Sequence, residues 1–162
     1  MEPCVLFGDD VAEFIEHYFP SAGPTLFIGN IGFGPDVLYF PRLLRCGGDV
    51  DYRFMVERRP SVPEAIDAMA HARQAELEQA LGEAMQVAQV PIIADDGAAV
   101  AGRNACAQVS QWLQAKPYTN VIVDATGMSR GTCFPVTKQL REWSAQSGAR
   151  IHLLIADSAG PL

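Results

Sequence analysis

Apolar residues along this chain follow two alternating patterns. Short continuous runs alternate with longer stretches in which apolar positions return every three or four residues. The runs predict buried strands at 25–30 (TLFIGN), 50–57 (VDYRFMVE), 89–95 (QVPIIAD), 120–125 (NVIVDA) and 150–157 (RIHLLIAD). The stretches between them predict helices. DDVAEFIEHYFP takes Asp9 or Asp10 as its cap, gathers Val11, Phe14, Ile15 and Phe19 near one face, and stops at Pro20. PDVLYFPRLLRCGG places Pro35 in a first turn and Gly47-Gly48 at the stop, with Pro41 as an interruption. Ser61 and Glu64 have the S-x-x-E spacing of a capping box. The helix they open runs to about Gly82, with Ile66, Met69, Ala70, Leu77, Ala80 and Leu81 as its buried stripe. AVAGRNACAQVSQWLQA and CFPVTKQLREWSAQSG supply the last two helices, the second ending at Gly148.

One helix followed by strictly alternating strands and helices implies parallel pairing, because a crossover helix returns the chain to the same edge of the sheet. Continuous apolar strands imply a sheet covered on both faces. The expected fold is therefore α/β: a Rossmann-like three-layer sandwich around a mainly parallel five-stranded sheet. A single domain over 1–162 is expected, with 1–22 as an N-terminal helix and linker. The fifth strand is followed only by a short tail, which suits either a five-stranded domain or a piece of a longer protein.

Composition narrows the partners. Apolar residues make up 49% and charged residues 19%, the balance of a folding chain. A net charge of −7 disfavours duplex nucleic acid and anionic membranes, both of which reward Lys and Arg. No run approaches a membrane span, and the N-terminus lacks the basic and apolar regions of a signal peptide. The four cysteines, Cys4, Cys46, Cys106 and Cys133, form no C-x-x-C pair, so no zinc site and no disulfide framework is expected, and the location expected is cytoplasmic.

In an open parallel sheet, ligands bind beyond the strand C-termini. Four loops there carry unusual residues. Gly29-Asn30-Ile31-Gly32-Phe33-Gly34 follows the first strand, where glycines permit close ligand approach and the next helix can offer free N–H groups. Its G-x-x-G-x-G spacing is not the dinucleotide fingerprint. Glu57 closes the second strand and suits ribose hydroxyls, with Arg58 and Arg59 beside it; a solvated strand end is the equal alternative. Asp95-Asp96-Gly97 has carboxylates that could meet a metal or a base amine, although Asp-Gly is foremost a turn. Asp124-Ala125-Thr126-Gly127-Met128-Ser129-Arg130-Gly131-Thr132 is richest: Thr126, Ser129 and backbone N–H groups could surround a phosphate, with Arg130 as a forked cation. Ser129 or Thr132 as a plain N-cap is the simpler reading of the hydroxyls, but it leaves the glycines and Arg130 without a role. Catalytic signals are poor. His17, His71 and His152 are scattered, Cys133 has no histidine placed to serve it, and no nucleophile elbow or phosphate-loop motif occurs.

Asp124, Thr126, Gly127 and Arg130 resemble the D/N-x-T-G-x-x-K/R loop of CRISPR-associated Rossmann-fold (CARF) sensor domains, with Met128 where a second glycine is usual and Arg for the commoner Lys. The resemblance covers about ten residues. It implies a sensor that recognises a cyclic oligonucleotide or related nucleotide, acting as a homodimer or with a fused or associated effector in bacterial defence. The rival enzyme reading is an S-adenosylmethionine-dependent methyltransferase using the glycine loop, Glu57 and Asp95 or Asp96, although Ile28 stands where an acid is usual. A structural α/β assembly subunit is the third reading. The expected site is Gly29, Asn30, Gly32, Gly34, Glu57, Asp95, Asp124, Thr126, Gly127, Ser129 and Arg130, in a binding module rather than a catalyst, with a nucleotide as ligand and no metal. Thiol titration of the protein unfolded without reductant should find all four cysteines reactive; a protected pair would refute the reduced state.

Overall fold

Strand β1 (Thr25–Asn30) occupies the centre of the sheet because every one of its residues is buried. The computed structural model describes residues 4–45 and 48–156. Around β1 the order is β3-β2-β1-β4-β5, with β2 at Val50–Arg58, β3 at Met85–Pro91, β4 at Asn120–Asp124 and β5 at Arg150–Leu154. All four pairings are parallel. The α/β Rossmann-like sandwich expected from the apolar runs is the fold observed.

Helices α1 (Asp9–Tyr18), α2 (Tyr39–Leu44) and α3 (Glu64–Leu81) lie on one face; α4 (Ala101–Leu113) and α5 (Arg130–Ser147) lie on the other. Strand side chains alternate between two cores, as the period of a strand demands. Phe27, Tyr52, Phe54, Ile122 and Leu154 pack with Ile15, Phe19, Phe40 and Leu77. Leu26, Ile28, Met55, Val121 and Val123 pack with Ala105, Val109, Val136 and Leu140. The two helices on the second face come close because Gly102 of α4 has no side chain; a Cβ there would lie 2.6 Å from the Pro135 ring and 3.1 Å from the Gly131 carbonyl. Pro135 lacks an N–H for that carbonyl, so the helix interruption sits where the neighbouring backbone is closest.

Several local expectations are corrected. The third strand starts at Met85 and ends at Pro91, earlier than 89–95. Gln86 and Gln89 are exposed on this edge strand, so its sequence lacks the continuous apolar run of a buried one. Residues 92–100 instead fold back in a turn, with Ile93 bridging Ala99. Ser61 does not cap α3: Pro63 holds that position, without a side-chain bond, and the Ile66 and Asp67 N–H groups donate to its carbonyl. Of the stripe expected on α3, Leu77 is buried and Met69 is exposed. Gly8, with φ of 57°, precedes α1, so Asp9 and Asp10 fall in its first turn. The second predicted helix divides into a 3-10 turn, Pro35–Leu38, and the six residues of α2. Its expected stop at Gly47 lies outside the described residues, as does Cys46; Cys4, Cys106 and Cys133 are free thiols. No helix among the described residues is long and apolar enough to cross a membrane.

The sheet's two edges differ. On β3 the exposed side chains include Gln86 and Gln89, and the strand closes on Pro91. On β5, Leu153 is 49% exposed, and Ile155, just beyond the strand, is 65% exposed.

Helix α1 docks on the strand bases through an aromatic cluster in which His152 lies against Phe14, Tyr18 and Phe19. Asn120 Oδ1 accepts hydrogen bonds from the Tyr18 hydroxyl (2.9 Å) and from His152 Nε2 (3.1 Å), which fixes the neutral ring with its proton on Nε2. Burial, reinforced by the Arg150 charge, lowers the His152 pKa to about 4. The unfolded chain, with its histidine near 6.5, therefore binds more protons between the two values. This contribution to stability is complete above pH 6.5 and is lost as the pH falls toward 4. His152→Gln keeps a donor toward Asn120 and removes the titration. Denaturant melts at pH 7 and pH 4.5 should show the wild type losing about 1–2 kcal/mol more than the variant, after allowance for solvent screening.

Candidate functional site

Strands β1 and β4 send their chains to opposite faces of the sheet, so a crevice opens between their C-terminal ends. Two backbones meet there. A Cβ on Gly127 would lie 2.8 Å from the Asn30 carbonyl oxygen and 2.9 Å from Val37 Cγ1, while Gly32 faces Gly127 at ordinary contact distance. Gly127 does not have a positive φ, so no left-handed turn calls for glycine there. Glycine is required there because two chains approach too closely for any side chain. Val37, whose sequence context signals only a helical apolar position, is the residue that sequence reasoning missed.

Asn30 joins the loops. Its Nδ2 donates to the Gly127 carbonyl at 2.6 Å, and the residue is only 6% exposed. Its Oδ1 is buried without a hydrogen-bond partner among the described residues. Exchanging the two atoms would set an oxygen against the Gly127 carbonyl, so the amide orientation follows from the one bond it makes. A buried acceptor left unpaired costs about 1–3 kcal/mol.

Asp124 lies beneath the loop and is buried. The Thr126 N–H donates to its Oδ1 at 3.0 Å, and the Thr126 hydroxyl oxygen accepts from the Ala156 N–H at 2.9 Å. Thr126 thus ties the loop to the segment after β5, and its oxygen is committed within the chain. Burial raises the Asp124 pKa to about 6, against the hydrogen bonds from Thr126 that lower it.

Helix α5 starts above this platform. Ser129 precedes it in extended conformation and makes no side-chain capping bond to the helix backbone; its hydroxyl donates to Thr132 Oγ1 at 3.3 Å. The N–H groups of Arg130 and Gly131 have no partner in the described chain. Arg130 is exposed and its guanidinium has no hydrogen bond or ion pair among the described residues. A cation in a helix's first turn opposes the dipole. Glu57 reaches from the end of β2 across β1 to this point, where its Oε1 accepts the Ser129 N–H at 3.1 Å.

Asn30, Gly32, Glu57, Asp124, Thr126, Gly127, Ser129 and Arg130 therefore gather at one crevice. The other expected residues do not. Gly29 is a strand residue pressed against the Phe54 and Phe27 rings, and Gly34 faces open space. The chain after the glycine loop begins with Pro35, which has no N–H, and Asp36, so the anion-binding helix start expected there is not formed. Asp95 is exposed on the turn beyond edge strand β3; its neighbour Asp96 accepts the Ala98 N–H at 3.0 Å, and Gly97 has φ of 83°. That is the turn reading of Asp-Asp-Gly. Among the described residues, no three His, Cys, Asp or Glu side chains converge as a metal site requires. A cavity of about 190 Å³ lies at the opposite end of the sheet, lined in part by Leu44, Arg45, Val50 and Leu81. None of the expected ligand-binding residues lines it. No protein-family model matches the chain, and no curated protein matches it.

The Asp124 carboxyl gives a clear test. Its folded pKa lies above the unfolded value of 3.8, so its contribution is most favourable at low pH and is lost as the pH rises through about 6. Asp124→Asn retains an oxygen for the Thr126 N–H and abolishes the buried charge. Thermal melts should show the variant stabilised by roughly 2 kcal/mol relative to wild type at pH 7.5, with most of that gain absent at pH 4.5. A gain of the same size at both pH values would refute burial of the charged carboxylate as the cause.

Proposed function

We propose that this chain is a binding module for a nucleotide or another phosphate-bearing small molecule, seated at the crevice between β1 and β4. The observation that carries the reading is the meeting of two opposite needs at one loop. Among the described residues, Asn30 Oδ1 is a buried acceptor without a donor, and it lies beside the loop that leads to Arg130, whose guanidinium has no partner there. A ligand with a hydroxyl or amine satisfies the first, and an anionic group satisfies the second. A nucleoside phosphate carries both. Recognition rather than turnover is the role this reading assigns, since among the described residues no histidine or cysteine side chain is poised at the crevice as a nucleophile or base.

The resemblance of the Asp124–Arg130 loop to CARF domains extends the proposal to a sensor of cyclic oligonucleotides, acting as a homodimer or with an effector in antiviral defence. A second reading, S-adenosylmethionine-dependent methyl transfer, is favoured by the strand order with Glu57 near the end of β2. Against it, Asp95 stands away from the crevice and Glu57 is engaged with Ser129.

A thermal-shift panel of mononucleotides, cyclic oligonucleotides and S-adenosylmethionine separates these readings, and calorimetry on the hit then tests Arg130. Charge-assisted hydrogen bonds to phosphate contribute roughly 1.5–3 kcal/mol each. Arg130→Ala should weaken binding about tenfold to a hundredfold. Its melting temperature should stay unchanged or rise slightly, because a cation is removed from a helix N-terminus. Equal affinity for wild type and variant would take the α5 start out of the site.

A further inference from the structure

We infer that Glu57 is an internal anion that occupies part of the ligand's anionic subsite, so that binding requires its carboxylate to be displaced from Ser129. This inference rests on the proposed nucleotide site and adds a regulatory contact to it. Three observations lead to it. The Glu57 carboxylate bonds the backbone N–H of Ser129, immediately before α5, and reaches it only by crossing the end of β1. The neighbouring N–H groups of Arg130 and Gly131, together with the Arg130 guanidinium, have no partner among the described residues. Independently of the helix, Asn30, only 6% exposed, has a buried Oδ1 without a donor among the described residues and is hydrogen-bonded to the same loop through Gly127.

A carboxylate on that N–H is favourable in the empty protein. It supplies the negative charge near the α5 start that the helix's own first turn lacks, since that turn contains no acidic residue. A phosphate brought to Arg130, Gly131 and Ser129 meets a second anion at short range and must either repel it or release it. The same contact that holds α5 in the empty state therefore opposes the ligand. Binding removes Glu57 from Ser129, and the end of β2 is freed as the crevice fills. A ligand carrying both the anion and a donor for Asn30 meets the cost of that release better than an anion alone.

This makes the effect of Glu57 opposite in sign to that of a ribose anchor. ¹⁵N-labelled wild type, Glu57→Gln and Arg130→Ala are titrated with adenosine 5′-monophosphate and, separately, with inorganic pyrophosphate, following the Ser129, Arg130 and Gly131 amides. Glu57→Gln retains an oxygen for Ser129 and loses the charge. It should bind the mononucleotide at least tenfold more tightly than wild type, while Arg130→Ala binds more weakly. The gain on passing from pyrophosphate to the mononucleotide should shrink in Asn30→Ala. In the empty state Glu57→Gln should melt slightly lower than wild type, and saturating mononucleotide should raise its melting temperature further than it raises that of wild type. Weaker binding by Glu57→Gln, with Arg130→Ala also weakened, would overturn the displacement and make Glu57 a ligand contact, leaving the nucleotide site standing. Unchanged binding by Glu57→Gln would overturn it as well. Failure of both probes to move these amides in wild type and in Glu57→Gln would overturn the inference and the site together.

Discussion

The Gly127 backbone and the Asn30 carbonyl approach so closely that a methyl group between them would sit at 2.8 Å from the oxygen. Everything at the C-terminal end of the sheet is arranged around that contact. It draws the loop after β4 over the end of β1, lets Asn30 hold the Gly127 carbonyl, and leaves Asp124 sealed below. Any side chain at 127 would push the loop off Val37 and Asn30 together. The crevice is thus defined by backbone rather than by side-chain packing, and its position follows from the divergence of the two central strands.

Charge is distributed unevenly around this platform. The buried Asp124 is held largely by Thr126 and opposes its own ionisation through desolvation. The exposed Arg130 stands at the positive end of a helix with no anion of its own turn to balance it. Between them lies Glu57, supplied by a different strand. Fold stability alone would favour an acidic residue in the first turn of α5 and an apolar residue at 124. These departures from local preference collect at the crevice where the ligand site is proposed.

Much of the fold was legible because strands buried on both faces write themselves as apolar runs: β1, β2 and β4 start where expected, and the partly exposed edge strand β5 starts at Arg150 as expected but ends at Leu154, short of 157. Strand β3 was misplaced because an edge strand needs only one buried side, and Gln86 and Gln89 broke its run. Ser61 and Glu64 had the capping-box spacing, yet Pro63 starts the helix, so composition matched while geometry did not. At the crevice, the residue types around Asp124 pointed to a loop that the fold does bring beside Asn30 and Glu57. Their roles did not follow from type: Thr126 is spent on Ala156, Glu57 on Ser129, and Gly127 serves proximity rather than a left-handed turn. Each of these depends on which strand lies beside which, and strand order is not written in any local pattern.

The unequal edges of the sheet set a limit on how copies of this fold can associate. The β5 edge carries exposed Leu153 and is followed by exposed Ile155, whereas β3 presents glutamines and ends in proline, which cannot donate to another strand. Fibre growth through sheet edges needs two adhesive edges per subunit, so that each addition exposes a new one. Here the second edge is blunted. A pairing of two copies through β5 would leave only the blunted β3 edges outward, so it could not propagate as a fibre.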